Sequence, residues 1–419
     1  MSIELRRTLL AVWIVAFLAL AHGPTTNASE ANAIEGGGDL TSLDLPDVDA
    51  PSMLEGPNEA EMRDLRDLAT ERGYSLEEAM NRYGWGRNFS QLTAGLVDDY
   101  PDEYAGAAIE KDGTAWIAFR GSPPDEALTL IDIFNRWLQR SGLTERDSGP
   151  VEVVFDRGFS EAEINRRTMD AHFAVYSSVD GLLEVSTRYD QVSGVISMTI
   201  IVGESSDEQR VRDEVTLLVN SEVRLDVVSG PLAEDDAVHR GGQPTSTCTA
   251  GFVVYSAQAV RGIATAAHCQ DSQAMNGVTL PFVDEHNGSY GDMQWHSKPG
   301  EVFPDDFLAG SATTWNADNR DVASMGSPVV GMAIYKNGRN GYRDLDEVKA
   351  LGHCVNGACN LVRVYQDLAV NGDSGGPWYF GNTAYGIHKG DNLHDWAIRD
   401  VFTRVDHLAI GMSVNVAIS

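Results

Sequence analysis

The segment from Gly372 to Trp378, with the sequence GDSGGPW, constrains this chain more than any other segment. It sets a serine among glycines, which leave the backbone free to turn sharply. In such a turn the hydroxyl of Ser374 is a candidate nucleophile, and the backbone N–H groups of Gly372 and Ser374 are candidate donors to an oxyanion. A serine hydroxyl is a weak nucleophile at neutral pH, so the interpretation requires a base elsewhere in the chain.

A candidate base lies upstream in the segment TAAHC, where His268 follows an apolar, strand-like run from Gly262 to Ala267. The order histidine before serine matches one of the known chain orders of a Ser-His-Asp triad. Two aspartates between them could orient the histidine. Asp292 stands 24 residues after His268 and leads into an apolar alternation, whereas Asp306 stands 38 residues after it.

Together, TAAHC and GDSGGP resemble the chymotrypsin-like serine proteases, and their surroundings resemble the bacterial secreted branch, the streptogrisin and alpha-lytic protease group. The resemblance covers about residues 240–419. It implies an all-β catalytic domain of two antiparallel β-barrels, a secreted serine endopeptidase that acts through an acyl-enzyme, and no cofactor or metal. In this branch the aspartate soon follows the histidine and opens a strand with an aromatic or aliphatic residue three positions on, as Trp295 is here. The resemblance therefore favours Asp292 as the third triad member, with Asp306 as the alternative.

Asp373 precedes the candidate nucleophile and, if buried, needs a cation. The bacterial branch supplies an arginine from a Gly-Arg turn, and Arg339 stands in such a turn, so the resemblance implies an Asp373–Arg339 ion pair. The cysteines that usually flank this turn are absent, with Tyr335 and Asp344 in their places.

The segment GIHKG resembles the strand that pairs with a substrate peptide, which implies substrate-binding roles for His388, Lys389 and Gly390. Lys389 stands where the family usually has serine. His388 resembles the histidine of glutamate-specific bacterial relatives, so a preference for acidic side chains before the scissile bond and a preference for apolar ones both stay open. A trypsin-like preference for basic side chains is not expected, because the segment just before the GDSGGP motif offers no carboxylate except Asp367 to attract such a side chain.

Four cysteines in an exported protein suggest two disulfides, and three pairings are possible. We favour Cys248–Cys269, which would tie a strand to the histidine loop, and Cys354–Cys359, which would close a hairpin tip. A zinc site is the weaker alternative, because no second cysteine pair has metal-ligand spacing.

The first 21 residues, with Arg6, Arg7 and an apolar run from Thr8 to Leu20, predict a signal peptide and hence an extracellular protein. The formal net charge is −31, and 44 of the 62 acidic residues precede Gly241. Such a charge argues against nucleic acid or an anionic membrane as a partner.

The chain before residue 243 divides by composition and pattern. Residues 22–57 are predicted to be a linker, 58–145 an α+β unit, 150–230 a second unit of order β-α-β-β-α-β that fits a ferredoxin-like fold, and 231–242 a maturation linker before the protease domain at 243–419. Predicted helices cover Glu59–Glu71, Ser75–Tyr83, Glu126–Leu138, Glu161–Tyr176 and Asp207–Leu218. Ser75 with Glu78 predicts a capping box for the second of these, and Ser160 is the predicted cap of the fourth. Predicted strands include a hairpin around Asp112-Gly113.

The two N-terminal units carry no evident nucleophile, metal cluster or phosphate-cradling loop. Since the resembling proteases carry pro-regions, we interpret residues 58–230 as a pro-region that assists folding and inhibits the protease domain, whose mature form is expected to be monomeric. The leading hypothesis is a serine endopeptidase made as a zymogen. An inactive protease-like binding protein and an esterase that uses the same triad are the alternatives.

Overall fold

The structure is a computed structural model that describes residues 55–110, 113–142, 151–179, 182–202, 208–219, 223–229, 243–394 and 397–419. The predicted signal peptide, the predicted linker except its last three residues, Asp112 and the predicted maturation linker lie outside these ranges. Of the helices in the described ranges, none has the length and apolar character needed to cross a membrane.

Seven α-helices occur in the described ranges: α1 Glu59–Arg72, α2 Leu76–Tyr83, α3 Gly86–Asp99, α4 Asp125–Arg140, α5 Glu161–Tyr176, α6 Glu208–Leu218 and α7 Leu408–Met412. The hydroxyls of Ser75 and Ser160 accept from the backbone N–H groups of Glu78 and Glu163, in the first turns of α2 and α5, as the capping patterns predict. Helix α3 was not predicted. Its N-cap is Trp85, whose side chain caps nothing, so the usual start signal is absent.

Strands before residue 243 fall into two groups. A three-stranded sheet contains β1 Tyr104–Ile109, β2 Ala115–Phe119 and β3 Glu152–Val154, with β3 parallel to β2. Strands β4 Leu182–Tyr189, β5 Ile196–Val202 and β6 Val223–Ser229 form the second group, in which β5 runs antiparallel to β4 and parallel to β6.

Residues 243–419 are almost entirely strands and turns, as the sequence predicts. The strands are β7 Val253–Ser256, β8 Arg261–Thr265, β9 Gln273–Met275, β10 Val278–Leu280, β11 Phe282–Gly288, β12 Gly291–His296, β13 Asp306–Leu308, β14 Asn319–Asp321, β15 Ser324–Met325, β16 Ala333–Gly338, β17 Tyr342–Val355, β18 Ala358–Val364, β19 Pro377–Phe380, β20 Thr383–His394, β21 Ala397–Arg404 and β22 Val414–Val416.

Two sheets dominate this region. One has five antiparallel strands in the order β11-β12-β8-β7-β22. In the other, the strands follow the order β16-β19-β20-β21-β18-β17, and β16 also pairs with β17, so these six strands close into a ring. Closure of the five-stranded sheet into a second barrel stays a prediction.

The larger sheet continues beyond the ring into the N-terminal part of the chain. Ser186 and Thr187 of β4 pair with Val355 and Cys354 of β17, so β4, β5 and β6 extend the same sheet. The predicted ferredoxin-like fold is therefore wrong, although the chain order from β3 to β6 is as predicted. A ferredoxin-like unit would hold its four strands in one sheet, whereas β3 pairs with β2 and β4 pairs with β17. Element order does not determine pairing, because a strand pairs with whichever edge the tertiary packing offers.

Candidate active site

Ser374 lies in a tight turn immediately before β19. Gly372 has φ +101° and Gly375 has φ +86°, conformations that side-chain-bearing residues rarely adopt. A Cβ atom on Gly375 would lie 2.0 Å from Oγ1 of Thr265 and 2.2 Å from the carbonyl oxygen of Thr249. The glycines thus let the turn pack closely against Thr265, at the end of β8. Ser374 is buried there.

His268 follows the end of β8 and bridges Ser374 and Asp292. Its Nε2 lies 2.9 Å from Oγ of Ser374, and its Nδ1 lies 2.9 Å from Oδ2 of Asp292. The backbone N–H of His268 also donates to Oδ1 of Asp292, at 3.1 Å. The carboxylate therefore orients both the ring and the backbone of the histidine.

Asp292 is held by sheet register. Strand β12 pairs with β8, with Gln294 opposite Thr265, which brings the start of β12 beside the end of β8. The backbone N–H of Asp292 donates to Oγ1 of Thr403 at 2.9 Å, and the preceding Gly291 has no room for a Cβ atom beside that threonine. Burial opposes ionisation of Asp292, but the His268 ring, its hydrogen bonds and the Lys389 ammonium lower the pKa to about 2.

Asp306, the alternative third member, lies elsewhere. It stands on β13, and its Oδ2 accepts a hydrogen bond from Nδ2 of Asn319 at 2.6 Å. The structure brings Asp292, and not Asp306, to the histidine.

Asp373 is 1% exposed, as expected for the residue before the candidate nucleophile, but its cation is Lys336 rather than Arg339. The Nζ atom of Lys336 lies 3.1 Å from Oδ2 of Asp373, and the backbone N–H groups of Asn340 and Gly341 donate to the same carboxylate. The predicted Asp373–Arg339 pair is thus wrong. Lys336 points inward from β16, whereas the turn offers its backbone, not its arginine, to Asp373.

Lys336 was not predicted as the partner of Asp373, although its place in a strand is a usable signal. Lys336 stands inside a run of six buried residues, β16, where a charged side chain needs an opposite charge. The alternation of side chains along a strand does not show which carboxylate pairs with the lysine.

His388, Lys389 and Gly390 lie on β20, beside the Ser374 turn. The backbone N–H of His388 donates to the carbonyl of Gly376, and its carbonyl accepts from the N–H of Gly375, both at 2.8 Å. The indole N–H of Trp378 donates to Nδ1 of the buried His388 at 3.4 Å. This bond leaves the hydrogen of a neutral His388 ring on Nε2.

Both favoured disulfides are present. Cys248 bonds to Cys269, the residue after His268, and Cys354 bonds to Cys359 at the tip of the β17–β18 hairpin. The first bond ties the segment before β7 to the histidine loop.

Each comparison with known proteins covers less than half of the chain. No family model matches. Serine protease 1 of Streptomyces fradiae is 30% identical over 173 residues, which are 38% of this chain and 45% of that protein. Streptogrisin-A of Streptomyces griseus is 29% identical over 165 residues, which cover 38% of this chain and 52% of that protein. The chain thus spans about half the length of these two relatives.

A third relative, glutamyl endopeptidase 2 of Streptomyces griseus, is 29% identical over 168 residues, which are 37% of this chain and 83% of that protein. Among solved structures, Thermobifida fusca protease A is 19% identical with a TM-score of 0.36, covering 44% of this chain and all of that one. A glutamic acid-specific serine protease, described as using a histidine triad in substrate binding, is 23% identical with a TM-score of 0.35, covering 44% of this chain and 99% of that one.

Proposed function

We propose that this chain is a chymotrypsin-like bacterial serine protease, a secreted endopeptidase made as a zymogen. The observation that carries the proposal is the unbroken hydrogen-bonded path from Ser374 through His268 to Asp292, with both links at 2.9 Å. It is the arrangement that activates a serine hydroxyl for acyl transfer.

In the proposed reaction Oγ of Ser374 attacks the peptide carbonyl and its proton passes to Nε2 of His268. The protonated ring then gives that proton to the leaving amine, and an acyl-enzyme remains on Ser374. Water, deprotonated by His268, hydrolyses the acyl-enzyme and regenerates the serine. Asp292 holds the ring in the required tautomer and stabilises its positive charge.

The backbone N–H groups of Gly372 and Ser374 are the proposed oxyanion hole. The positive φ of Gly372 supports this role, because it turns the peptide plane in a way that other residues resist. Donors fixed in advance stabilise the negative oxygen by several kcal/mol in a site that excludes water.

The units at 58–145 and 150–230 are the proposed pro-region, which would fold with the protease domain and inhibit it until the chain is cut between 231 and 242. Two contacts support this role. Strand β4 extends the sheet of the protease domain through β17, and Asp64 of α1 inserts a buried carboxylate between Arg320 and Arg343. A pro-region docked in this way would be ordered on the protease surface.

Labelling with a fluorophosphonate probe tests the proposal. The purified chain, after maturation, is expected to react covalently and to hydrolyse a protein substrate, and the Ser374→Ala variant is expected to do neither. A matched control is Ser419→Ala, which removes an exposed hydroxyl that donates to the carbonyl of Val322 and not to a residue of the triad. Hydrolysis that persists in purified Ser374→Ala would refute the serine-protease mechanism.

The same experiment separates the alternatives. A folded wild type that neither labels nor hydrolyses would indicate a protease-like binding protein. Hydrolysis of ester substrates without hydrolysis of peptides would indicate an esterase.

A further inference from the structure

Helices α1 and α2 pack into the apolar core of the protease domain. Their buried apolar side chains, which are Leu65, Leu68, Ala69 and Ala79, belong to the same buried cluster as side chains of residues 243–419. To that cluster the protease domain contributes large aromatic side chains, including Phe307, Tyr335, Tyr379 and Phe380. Loss of the two helices would expose this apolar surface to water, so the hydrophobic effect opposes their release.

The rest of the described chain before residue 230 is built differently. Helices α3 and α4 form a separate buried cluster with β1 and β2 around Trp85 and Phe134, and the protease domain adds Val329 to it. Strands β4 to β6 form another cluster with α5 and α6, around Met198 and Ile200. Within the described ranges these two cores depend little on the protease domain, whereas the core under α1 and α2 is shared with it.

A buried charge fixes α1 in the same place. Asp64 is fully buried and accepts hydrogen bonds from Arg320, from Arg343 and from the backbone N–H of Gly381. The side chain of Arg320 is itself only 1% exposed. If α1 left, Arg320 would keep Asp318 at 2.6 Å but would lose the carboxylate that accepts from both of its Nη atoms. The loss of one partner from a buried ion pair is strongly unfavourable.

Gly381 brings α1 against the hairpin that follows the candidate nucleophile. It lies in the turn between β19, which begins three residues after Ser374, and β20, which carries His388. Gly381 has φ +60°, and a Cβ atom there would lie 2.3 Å from Cγ of Glu61 on α1. The helix thus contacts the backbone of this turn directly and supports the β19–β20 hairpin.

We propose that α1 and α2 stay bound to the protease domain after the chain is cut between 231 and 242, as part of a non-covalent second chain of the mature enzyme. The groove that they fill, lined by Arg320, Arg343 and buried aromatic side chains, fits an amphipathic helix that carries a buried carboxylate. The inference rests on the proposed zymogen cleavage and deepens it. It divides the proposed pro-region into a retained part, residues 58–142, and a second unit, residues 151–230, whose removal relieves inhibition.

The test cuts the full chain at two places under native conditions. Recognition sequences for a site-specific protease are placed within 143–150 and within 231–242, outside the described residues. The cut chain is diluted to about 100 nM and separated by size exclusion, and mass spectrometry identifies the fragments that elute with the protease domain. Residues 58–142 are expected there in an amount equal to that of the protease domain.

Two variants of α1 identify the contact that holds this fragment. Asp64→Asn removes the buried charge and is expected to weaken binding of the fragment about hundredfold in a dilution series, which corresponds to the lower end of the cost of breaking a buried ion pair. The matched control is Arg66→Gln, which changes the charge of the same helix at an exposed position. It is expected to leave binding within about twofold of the wild type.

A protease domain that separates from residues 58–142 at this dilution overturns the inference. Equal binding of the fragment in Asp64→Asn and Arg66→Gln also overturns it, because contacts with the second unit would then hold the fragment. If Asp64→Asn does not fold, the dilution series of the wild type decides alone. Reaction of the retained complex with the fluorophosphonate probe tests the proposed function separately. A retained complex that does not react refutes the peptidase mechanism, while the docking of α1 stands.

Discussion

Asp64 offers the most direct test of how helix α1 is held on the protease domain. The residue is fully buried on α1. Its two oxygens accept from Nη1 and Nη2 of Arg320 at 3.0 and 2.8 Å, from Nη2 of Arg343 at 2.7 Å, and from the backbone N–H of Gly381 at 2.7 Å. Replacing Asp64 by asparagine removes the charge but preserves the shape.

The magnitude follows from what remains after the change. Removing one partner of a buried ion pair costs about 3–5 kcal/mol, because an uncompensated charge stays buried. Arg320 keeps Asp318 at 2.6 Å and Arg343 keeps Asp67 at 2.7 Å, so the lower end applies. We expect a loss of about 3 kcal/mol in the free energy of unfolding, and a fall in Tm of about 4 °C for a chain of this size.

The assay is differential scanning calorimetry of the uncleaved chain in a Ser374→Ala background, which prevents the chain from being cut by its own proposed active site. The matched control is Asp67→Asn on the same helix. The side chain of Asp67 is 49% exposed and contacts Arg343, so its loss is expected to cost less than about 1 kcal/mol and under about 2 °C. Equal shifts for Asp64→Asn and Asp67→Asn would refute the reasoning from burial.

Three further experiments, with substitutions at five positions, test the site itself. Asp292→Asn is expected to lower kcat about 10⁴-fold, because an amide favours the wrong histidine tautomer, while Asp306→Asn costs little; the reverse ranking in steady-state kinetics would move the orienting role to Asp306. Lys336→Met is expected to destabilise the protease domain by about 3–5 kcal/mol in urea unfolding, because it strands Asp373, whereas Arg339→Met stays within about 0.5 kcal/mol. A peptide library profiled before and after His388→Thr tests specificity. If the wild type disfavours acidic side chains before the scissile bond, the role of His388 is to pack against Trp378. The enzyme is then expected to prefer apolar side chains at that substrate position.

Much of the local structure could be predicted from the sequence. The helix at Glu161–Tyr176 matches its prediction because Ser160 caps it, and both disulfides follow from their place beside the histidine loop and at a hairpin tip. The helix depends on neighbours close in sequence, and the disulfides join cysteines that are 21 and 5 positions apart. Helix α3 was missed because its N-cap residue, Trp85, provides no capping signal.

The candidate site shows where local patterns stop being informative. Ser374 and His268 stand in motifs whose glycines and small residues are needed by the turns they form, so the sequence by itself singles them out. The choice between Asp292 and Asp306 depends on the register of β12 against β8, and the choice between Lys336 and Arg339 depends on which side of β16 faces Asp373.

The sequence by itself determined the candidate nucleophile, the candidate base, the mostly-β character of residues 243–419 and the helix caps, because each arises from residue types within a few positions of one another. Tertiary structure alone decided the pairing of β4 with β17, the burial of Asp64 between two arginines and the approach of Lys389 to Asp292. These contacts join residues that are far apart in the chain. Their energies depend on exclusion of water and on strand register, which exist only once the sheets have packed.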